Sequence, residues 1–221
     1  MISYGRKFIV LVLLVFALAV QGSTHANLVL QKAQDLFIQV DCKGPHSEPY
    51  AMGSAFPFGE HFIFTARHIE CPDGQQLLVS KDGSTWFAVD EAKNFAHPAL
   101  DIRALVVDGV SFKTVASFRE PVIGEDVTGF GAAVDIISTF GRVMKLLPEQ
   151  GLILASNAPL GGMSGSALVA DDGMVIGMTV FGYHDGRVGG AVTGAISGAM
   201  LKELAESFPA FYAGATNTEA K

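Results

Sequence analysis

Three residues carry the chemistry this sequence offers: His68, Asp101 and Ser164. Ser164 lies in Pro159-Leu160-Gly161-Gly162-Met163-Ser164-Gly165-Ser166, a glycine-rich turn that leads straight into the apolar run Ala167-Leu168-Val169-Ala170. A serine hydroxyl is a weak nucleophile at its own pKa; it needs a base to take its proton and a third group to hold that base. Of the six histidines, only His68 has a strand-like apolar run behind it (Ile63-Phe64-Thr65-Ala66) and a loop in front. A ring presented into a cleft from a rigid support needs that arrangement. His25 falls in an N-terminal leader, His46 and His97 adjoin prolines, His61 opens a strand and His184 sits in a turn. Asp101 stands at the start of the buried-looking run Ile102 to Val107, where a carboxylate can fix the imidazole tautomer and stabilise the imidazolium formed during attack. Asp90 is the weaker alternative, because Glu91, Lys93 and Asn94 beside it read as a solvated loop. Singly, each residue has an ordinary reading: a turn serine, a strand-end carboxylate, a structural histidine. Jointly they occur in the order His, Asp, Ser, 33 and 63 residues apart, each at the boundary of an expected strand.

The elements that must hold these residues read as β. Phe37 to Val40, Met52 to Phe58, His61 to Thr65, Leu77 to Ser80, Trp86 to Val89 and Ile102 to Val107 predict strands of a first half. Ser117 to Glu125 predicts a crossover. Asp126 to Phe130, Gly141 to Leu147, Leu152 to Ser156, Ser166 to Ala170, Met174 to Phe181 and Val188 to Thr193 predict strands of a second. Lys81-Asp82-Gly83-Ser84 and Asp171-Asp172-Gly173 are hairpin signals, since Asp-Gly tolerates the positive φ that tight turns need. Met200, Leu201, Leu204 and Phe208 recur at helical spacing and predict a closing helix from Ser197 to Phe208. The expected division is a leader over 1–26, a first β unit over 27–116 with His68 and Asp101, a second over 117–210 with Ser164 and the helix, and a flexible tail over 211–221. Residues 44–49 predict a loop.

Composition narrows the partners. The 221 residues are 49% hydrophobic with a mean hydropathy of +0.36, enough for a real core, and 25 glycines without a fixed period read as turns of an all-β chain. The net charge is −7; residues 1–26 contribute Arg6 and Lys7 and no acid, so the remainder stands at −9. That sign repels phosphate backbones, and nucleic acid is excluded as an expected partner. Arg6-Lys7, the apolar run Phe8 to Val20 and the small-residue site Thr24-His25-Ala26 predict a signal peptide cleaved near Ala26 and a secreted or periplasmic product. An uncleaved membrane anchor is the alternative. In an exported chain the two cysteines, Cys42 and Cys71, are expected to pair, with two buried free thiols as the other possibility. No His-Glu-x-x-His or tight ligand cluster occurs, so no metal or cofactor is expected.

With these residues in place, the chain resembles the chymotrypsin-like (trypsin-like) serine proteases. Thr65-Ala66-Arg67-His68 is similar to that family's Thr-Ala-x-His, Asp101-Ile102-Arg103-Ala104-Leu105 to its Asp-Ile-Ala-x-Leu, and Gly162-Met163-Ser164-Gly165 to its Gly-x-Ser-Gly. Val175 to Gly182 is similar to the strand lining its substrate cleft. The short spacings and Phe140-Gly141-Arg142-Val143 look closer to bacterial glutamyl-endopeptidase, HtrA-type or viral members. The resemblance implies two antiparallel six-stranded Greek-key β-barrels with a C-terminal α-helix, and the triad between them. It implies Ser164 as nucleophile, His68 as general acid and base, Asp101 as its orienter, and the backbone N–H groups of Gly162 and Ser164 as oxyanion hole. Val180, Phe181 and Gly182 would pair with the substrate backbone, and Ala158 and Leu160 would wall the primary pocket. Met163 stands where zymogen-activated members carry an aspartate, so activation through that ion pair is not available. Ala158 stands where trypsin-type members have an acid, which disfavours a Lys/Arg preference and leaves a small or apolar pocket.

The resulting expectation is a monomeric, secreted serine endopeptidase acting on polypeptide substrates through an acyl-enzyme. Two alternatives stand beside it: a catalytically silent protease-like binding or assembly protein, and a membrane-anchored viral processing protease. An α/β-hydrolase is disfavoured by the order of the three residues and by Ser166, where that elbow needs glycine.

Overall fold

The computed structural model describes residues 27–43, 50–90, 93–132, 136–185 and 190–218. The expected leader and its cleavage site, the loop at 44–49 and the last residues of the expected tail (219–221) lie outside the described residues. No helix among the described residues is long and apolar enough to cross a membrane.

Residues 27–36 form a helix, α1, which buries Val29, Ala33 and Leu36, spaced as one face of a helix requires. The first half of the chain is then β1 (Ile38–Lys43), β2 (Tyr50–Pro57), β3 (Phe62–Thr65), β4 (Gln76–Ser80), β5 (Phe87–Ala88), β6 (Phe95–Ala96) and β7 (Arg103–Val106). They make one seven-stranded sheet in the order β5-β4-β1-β2-β3-β7-β6, with every pair antiparallel. The resemblance implied six strands here. The seventh is β6, two residues long and too short for a period-2 pattern to reveal.

The second half contains β8 (Asp126–Ala132), β9 (Ile136–Leu147), β10 (Leu152–Ala155), β11 (Ala167–Ala170), β12 (Val175–Asp185) and β13 (Gly190–Ser197), closed into a six-stranded barrel in the order β10-β13-β12-β11-β8-β9. The two halves are wound alike. In each, three successive strands form a meander and the fourth returns beside the first, β4 next to β1 and β11 next to β8, which is the Greek-key arrangement. The connection between them carries no named strand, only an isolated bridge from Phe118 to Val175.

The Asp-Gly signals mark real turns. Gly173, at φ +78°, joins β11 to β12, and Gly83, at φ +71°, lies between β4 and β5. In the latter turn Asp82 Oδ1 accepts the backbone N–H groups of Ser84 (2.8 Å) and Thr85 (2.7 Å). Lys81 beside it donates to the carbonyls of Gln34 (3.0 Å), Asp35 and Phe37 (3.0 Å), satisfying groups that the end of α1 leaves open.

The closing helix, α2 (Gly198–Thr218), runs well past Phe208 and into the stretch 211–218 that was expected to be a flexible tail. The sequence there, Ala210-Phe211-Tyr212-Ala213-Gly214-Ala215, is rich in alanine, the strongest helix former, and it continues the helix beyond Pro209. Although it follows the barrel, α2 reaches back to the first sheet. The Phe208 ring meets Phe58 at 5.6 Å and Phe62 at 5.3 Å in edge-on contacts. One core accordingly runs from α1 through the first sheet to Leu201 and Phe208, while Val127, Val143, Ile153, Ala155, Leu168, Ala170, Ile176 and Ala195 fill a second cluster in the barrel.

Candidate active site

Register brings His68 and Asp101 together. β3 and β7 pair antiparallel with Thr65 opposite Arg103, so the loop leaving β3 and the loop entering β7 meet at one end of the sheet. His68 lies three residues beyond the first strand and Asp101 two before the second. One carboxylate oxygen of Asp101 accepts the backbone N–H of His68 at 2.9 Å, and the other lies 2.6 Å from the ring Nδ1. An ionised carboxylate only accepts, so Nδ1 carries the proton and Nε2 is left as the basic nitrogen. Asp90, the alternative orienter, instead pairs with Lys93 at 2.9 Å.

Residues outside the motif hold this pair. Arg67 Nη1 donates to the carbonyl of His97 at 2.7 Å, and His97 Nδ1 accepts the backbone N–H groups of Leu100 (2.9 Å) and Ala99 (3.2 Å). His97 N–H also donates to Ile102 at 3.0 Å, which closes the turn carrying Asp101. Their only signal in the sequence is proximity: Arg67 precedes His68 and His97 precedes Asp101 by four. On the far side, Cys42 and Cys71 form a disulfide with Cα atoms 5.5 Å apart, tying β1 to the loop that follows His68.

The turn bearing Ser164 is bound to the first sheet through Ser54, a fully buried residue of β2 that the sequence reading did not single out. Ser54 N–H donates to the Ser164 carbonyl at 2.8 Å. Its hydroxyl donates to the Gly162 carbonyl at 2.7 Å and accepts the Ala132 N–H at 3.2 Å. Its own carbonyl accepts the Thr65 hydroxyl at 2.7 Å. Gly165, at φ +84°, packs so closely here that a Cβ would overlap the Ser54 carbonyl oxygen and lie 2.7 Å from Thr65 Oγ1 and 3.0 Å from the Ala66 nitrogen. Only glycine fits. The turn of Ser164 is thereby bonded to β2 at Ser54 and packed, through Gly165, against the end of β3, three residues before His68.

The backbone of the turn is nearly fully accounted for. Met163 N–H donates to Leu160 (3.1 Å), Gly165 N–H to Thr179 (2.7 Å) and Ser166 N–H to Met163 (2.9 Å). Between 162 and 166, the amides with no acceptor among the described residues are those of Gly162, at φ +85°, and Ser164. Two neighbouring N–H groups without a partner beside a serine hydroxyl have the make-up of an anion site. Met163, only 1% exposed, anchors the turn by burial: its sulfur lies 2.7 Å from where a Cβ on Gly131 would be.

The residues expected to meet substrate divide into two kinds. Val180 is buried at 4%, whereas Phe181 and Leu160 are each 45% exposed and Ala158 and Gly182 are exposed. Val180 therefore offers its backbone, since its side chain belongs to the core. β11 begins at Ala167, opposite Met178, so residues 180–185 of β12 have a strand partner on the β13 side alone among the described residues. Such an edge can take an added strand. A cleft of about 600 Å³ runs past it, with His97, Leu100 and Asp101 on one wall and Val180, Phe181 and Leu152 on the other. Among the described residues no three His, Cys, Asp or Glu side chains converge as metal ligands would.

No protein-family model matches the sequence, and no curated protein matches it. The fold does have likenesses among solved structures. The crystal structure of the serine endoprotease from Yersinia pestis superposes with a TM-score of 0.68 at 18% sequence identity, over 82% of this chain. The present chain spans 65% of that protein's length. Two β units wound alike, one of them a closed six-stranded barrel, a C-terminal helix packed across both, and this likeness together give the chain a chymotrypsin-like fold.

Proposed function

We propose that the protein is an exported serine endopeptidase in which Ser164 is the nucleophile, His68 the general acid and base, and Asp101 the group that orients it. The observation that carries this reading is the Asp101 carboxylate gripping both the backbone N–H and the ring Nδ1 of His68, at 2.9 and 2.6 Å. Ser164 Oγ attacks the scissile carbonyl carbon while Nε2 of His68 takes its proton. The negative oxygen of the tetrahedral intermediate accepts the N–H groups of Gly162 and Ser164. The imidazolium then gives its proton to the leaving amine, and water repeats the sequence to release the acid. Asp101 stays ionised throughout and stabilises the imidazolium. A turn held by Ser54 and by buried Met163 lets this hole form without a charged activation switch.

Export is supported by the disulfide, which persists in oxidising compartments, together with the leader pattern over residues 1–26. Reaction with a fluorophosphonate tests the chemistry directly. The folded protein is expected to become labelled at Ser164 and to cleave peptides, and Ser164→Ala is expected to abolish both while melting like the parent. A folded protein that takes no label is a protease-like binding protein instead.

A further inference from the structure

Beside Ser164, Pro159 packs directly against β12 at Gly182. Two segments flank the turn of Ser164: residues 158–160 on its N-terminal side, and residues 180–182 of β12, which reach it through the Gly165 to Thr179 hydrogen bond of 2.7 Å. A substrate strand laid along 180–182, its carbonyl carbon at Ser164, would direct the side chain of its acyl-side residue between these segments. That space is occupied. The Pro159 ring rests against the Cα of Gly182: a Cβ on Gly182 would overlap Pro159 Cβ and lie 2.6 Å from its Cγ. The floor is tied as well, because Thr193, fully buried in β13, donates its hydroxyl to the Asn157 carbonyl at 2.8 Å. The tip of the Phe181 ring packs against the other neighbouring glycine, Gly194, where a Cβ would overlap it.

We infer that Pro159 sets the primary specificity of this site and restricts the residue on the acyl side of the scissile bond to glycine, alanine or serine. Neither side of the Pro159–Gly182 contact is a flexible side chain that can turn away: one is a proline ring with fixed φ, the other a strand backbone. A residue with a larger side chain must separate the two segments. Apolar slots discriminate by about 10- to 200-fold for each methylene-sized change, so a side chain several carbons larger than alanine is strongly rejected.

The inference rests on the endopeptidase reading, and its test separates the two. The full chain is treated in parallel with a simple fluorophosphonate, which carries no acyl-side side chain, and with peptidyl phosphonates ending in alanine, valine, phenylalanine or lysine analogues. The expected result is labelling by the fluorophosphonate and the alanyl reagent, with valyl labelling about 10-fold slower or more and the phenylalanyl and lysyl reagents at least about 100-fold slower. In Pro159→Ala, whose folding is checked by its melting profile, the valyl-to-alanyl ratio should rise by about 10-fold. Wild-type labelling by the phenylalanyl or lysyl reagent within threefold of the alanyl one overturns the role of Pro159 and leaves the endopeptidase reading standing. Failure of the fluorophosphonate itself overturns both.

Discussion

Replacing Ser54 by alanine tests how the turn of Ser164 is held. The substitution removes one hydroxyl from a fully buried position, so the cavity it leaves is small and the cost lies in hydrogen bonds. Two partners lose theirs: the Ala132 N–H, on a buried residue, and the Gly162 carbonyl, on a half-buried one. An orphaned buried group costs about 1–3 kcal/mol, and water can partly repair the second, which gives a loss of about 2–3 kcal/mol. For a domain of this size that corresponds to a fall in Tm of about 5–10 °C. The larger effect concerns chemistry. On the proposed mechanism, the freed Gly162 carbonyl would let the turn rotate and carry the Gly162 N–H away from the oxyanion. Deleting one such donor outright costs about 10²–10³ in kcat, and loosening one should slow fluorophosphonate labelling by about 10- to 100-fold. Urea titration measures the first quantity. Labelling kinetics, taken at a temperature where both proteins are folded, measure the second. If stability falls as stated and labelling keeps its wild-type rate, Ser54 supports the sheet alone and the argument that it sets the turn is wrong.

The Cys42–Cys71 disulfide joins residues 29 apart, and closing a loop of that length stabilises by about 3.5 kcal/mol on the chain-entropy account. Urea midpoints with and without reductant, or in Cys42→Ala/Cys71→Ala, should differ accordingly. Asp101→Asn keeps the shape of the orienting side chain while exchanging the acceptor that holds Nδ1–H for an amide that also donates. Labelling at neutral pH should drop by about 10⁴ with little change in melting. Acid should weaken the fold by a definite route. The Asp82 carboxyl is held well below the usual carboxylate range by the backbone N–H groups of Thr85 and Ser84, and Asp126 is lowered by its hydrogen bond from Arg142. Depressed folded values mean that this stability is complete above the unfolded value near 4 and drains away as pH falls through the folded ones. The destabilisation measured for Asp82→Ala at pH 6 should therefore shrink by pH 2, and a difference independent of pH would refute the assignment.

What was legible in the sequence was local. His68, Asp101 and Ser164 stand at strand boundaries, and strand boundaries announce themselves through β-branched and aromatic runs ending in glycine, proline or charge. The pairing of His68 with Asp101 needs only the register of β3 on β7. The supports of the turn could not be read in this way. Ser54 meets Gly162 from 108 residues away, and nothing in Met52-Gly53-Ser54-Ala55 distinguishes it from any small residue in a strand. Pro159 and Gly182 belong to segments the sequence associates with substrate, but a wall and a plug have the same composition. Only the distance between them tells which is present. The helix α2 runs further than expected for another reason: the apolar spacing that predicts it ends at Phe208, and the alanines beyond Pro209 carry the helix on without it.

The contacts of Phe208 and Ser54 also order events in time. A chain made from its N-terminus exposes the rings of Phe58 and Phe62 until residue 208 has emerged, and the hydroxyl of Ser54 has no carbonyl to meet until residue 162 has. Contacts this distant along the chain form late and slowly. On the proposed mechanism, Ser164 would become competent only after nearly the whole polypeptide exists, and a half-made or still-extended chain would be inactive. That order would follow from where two side chains lie.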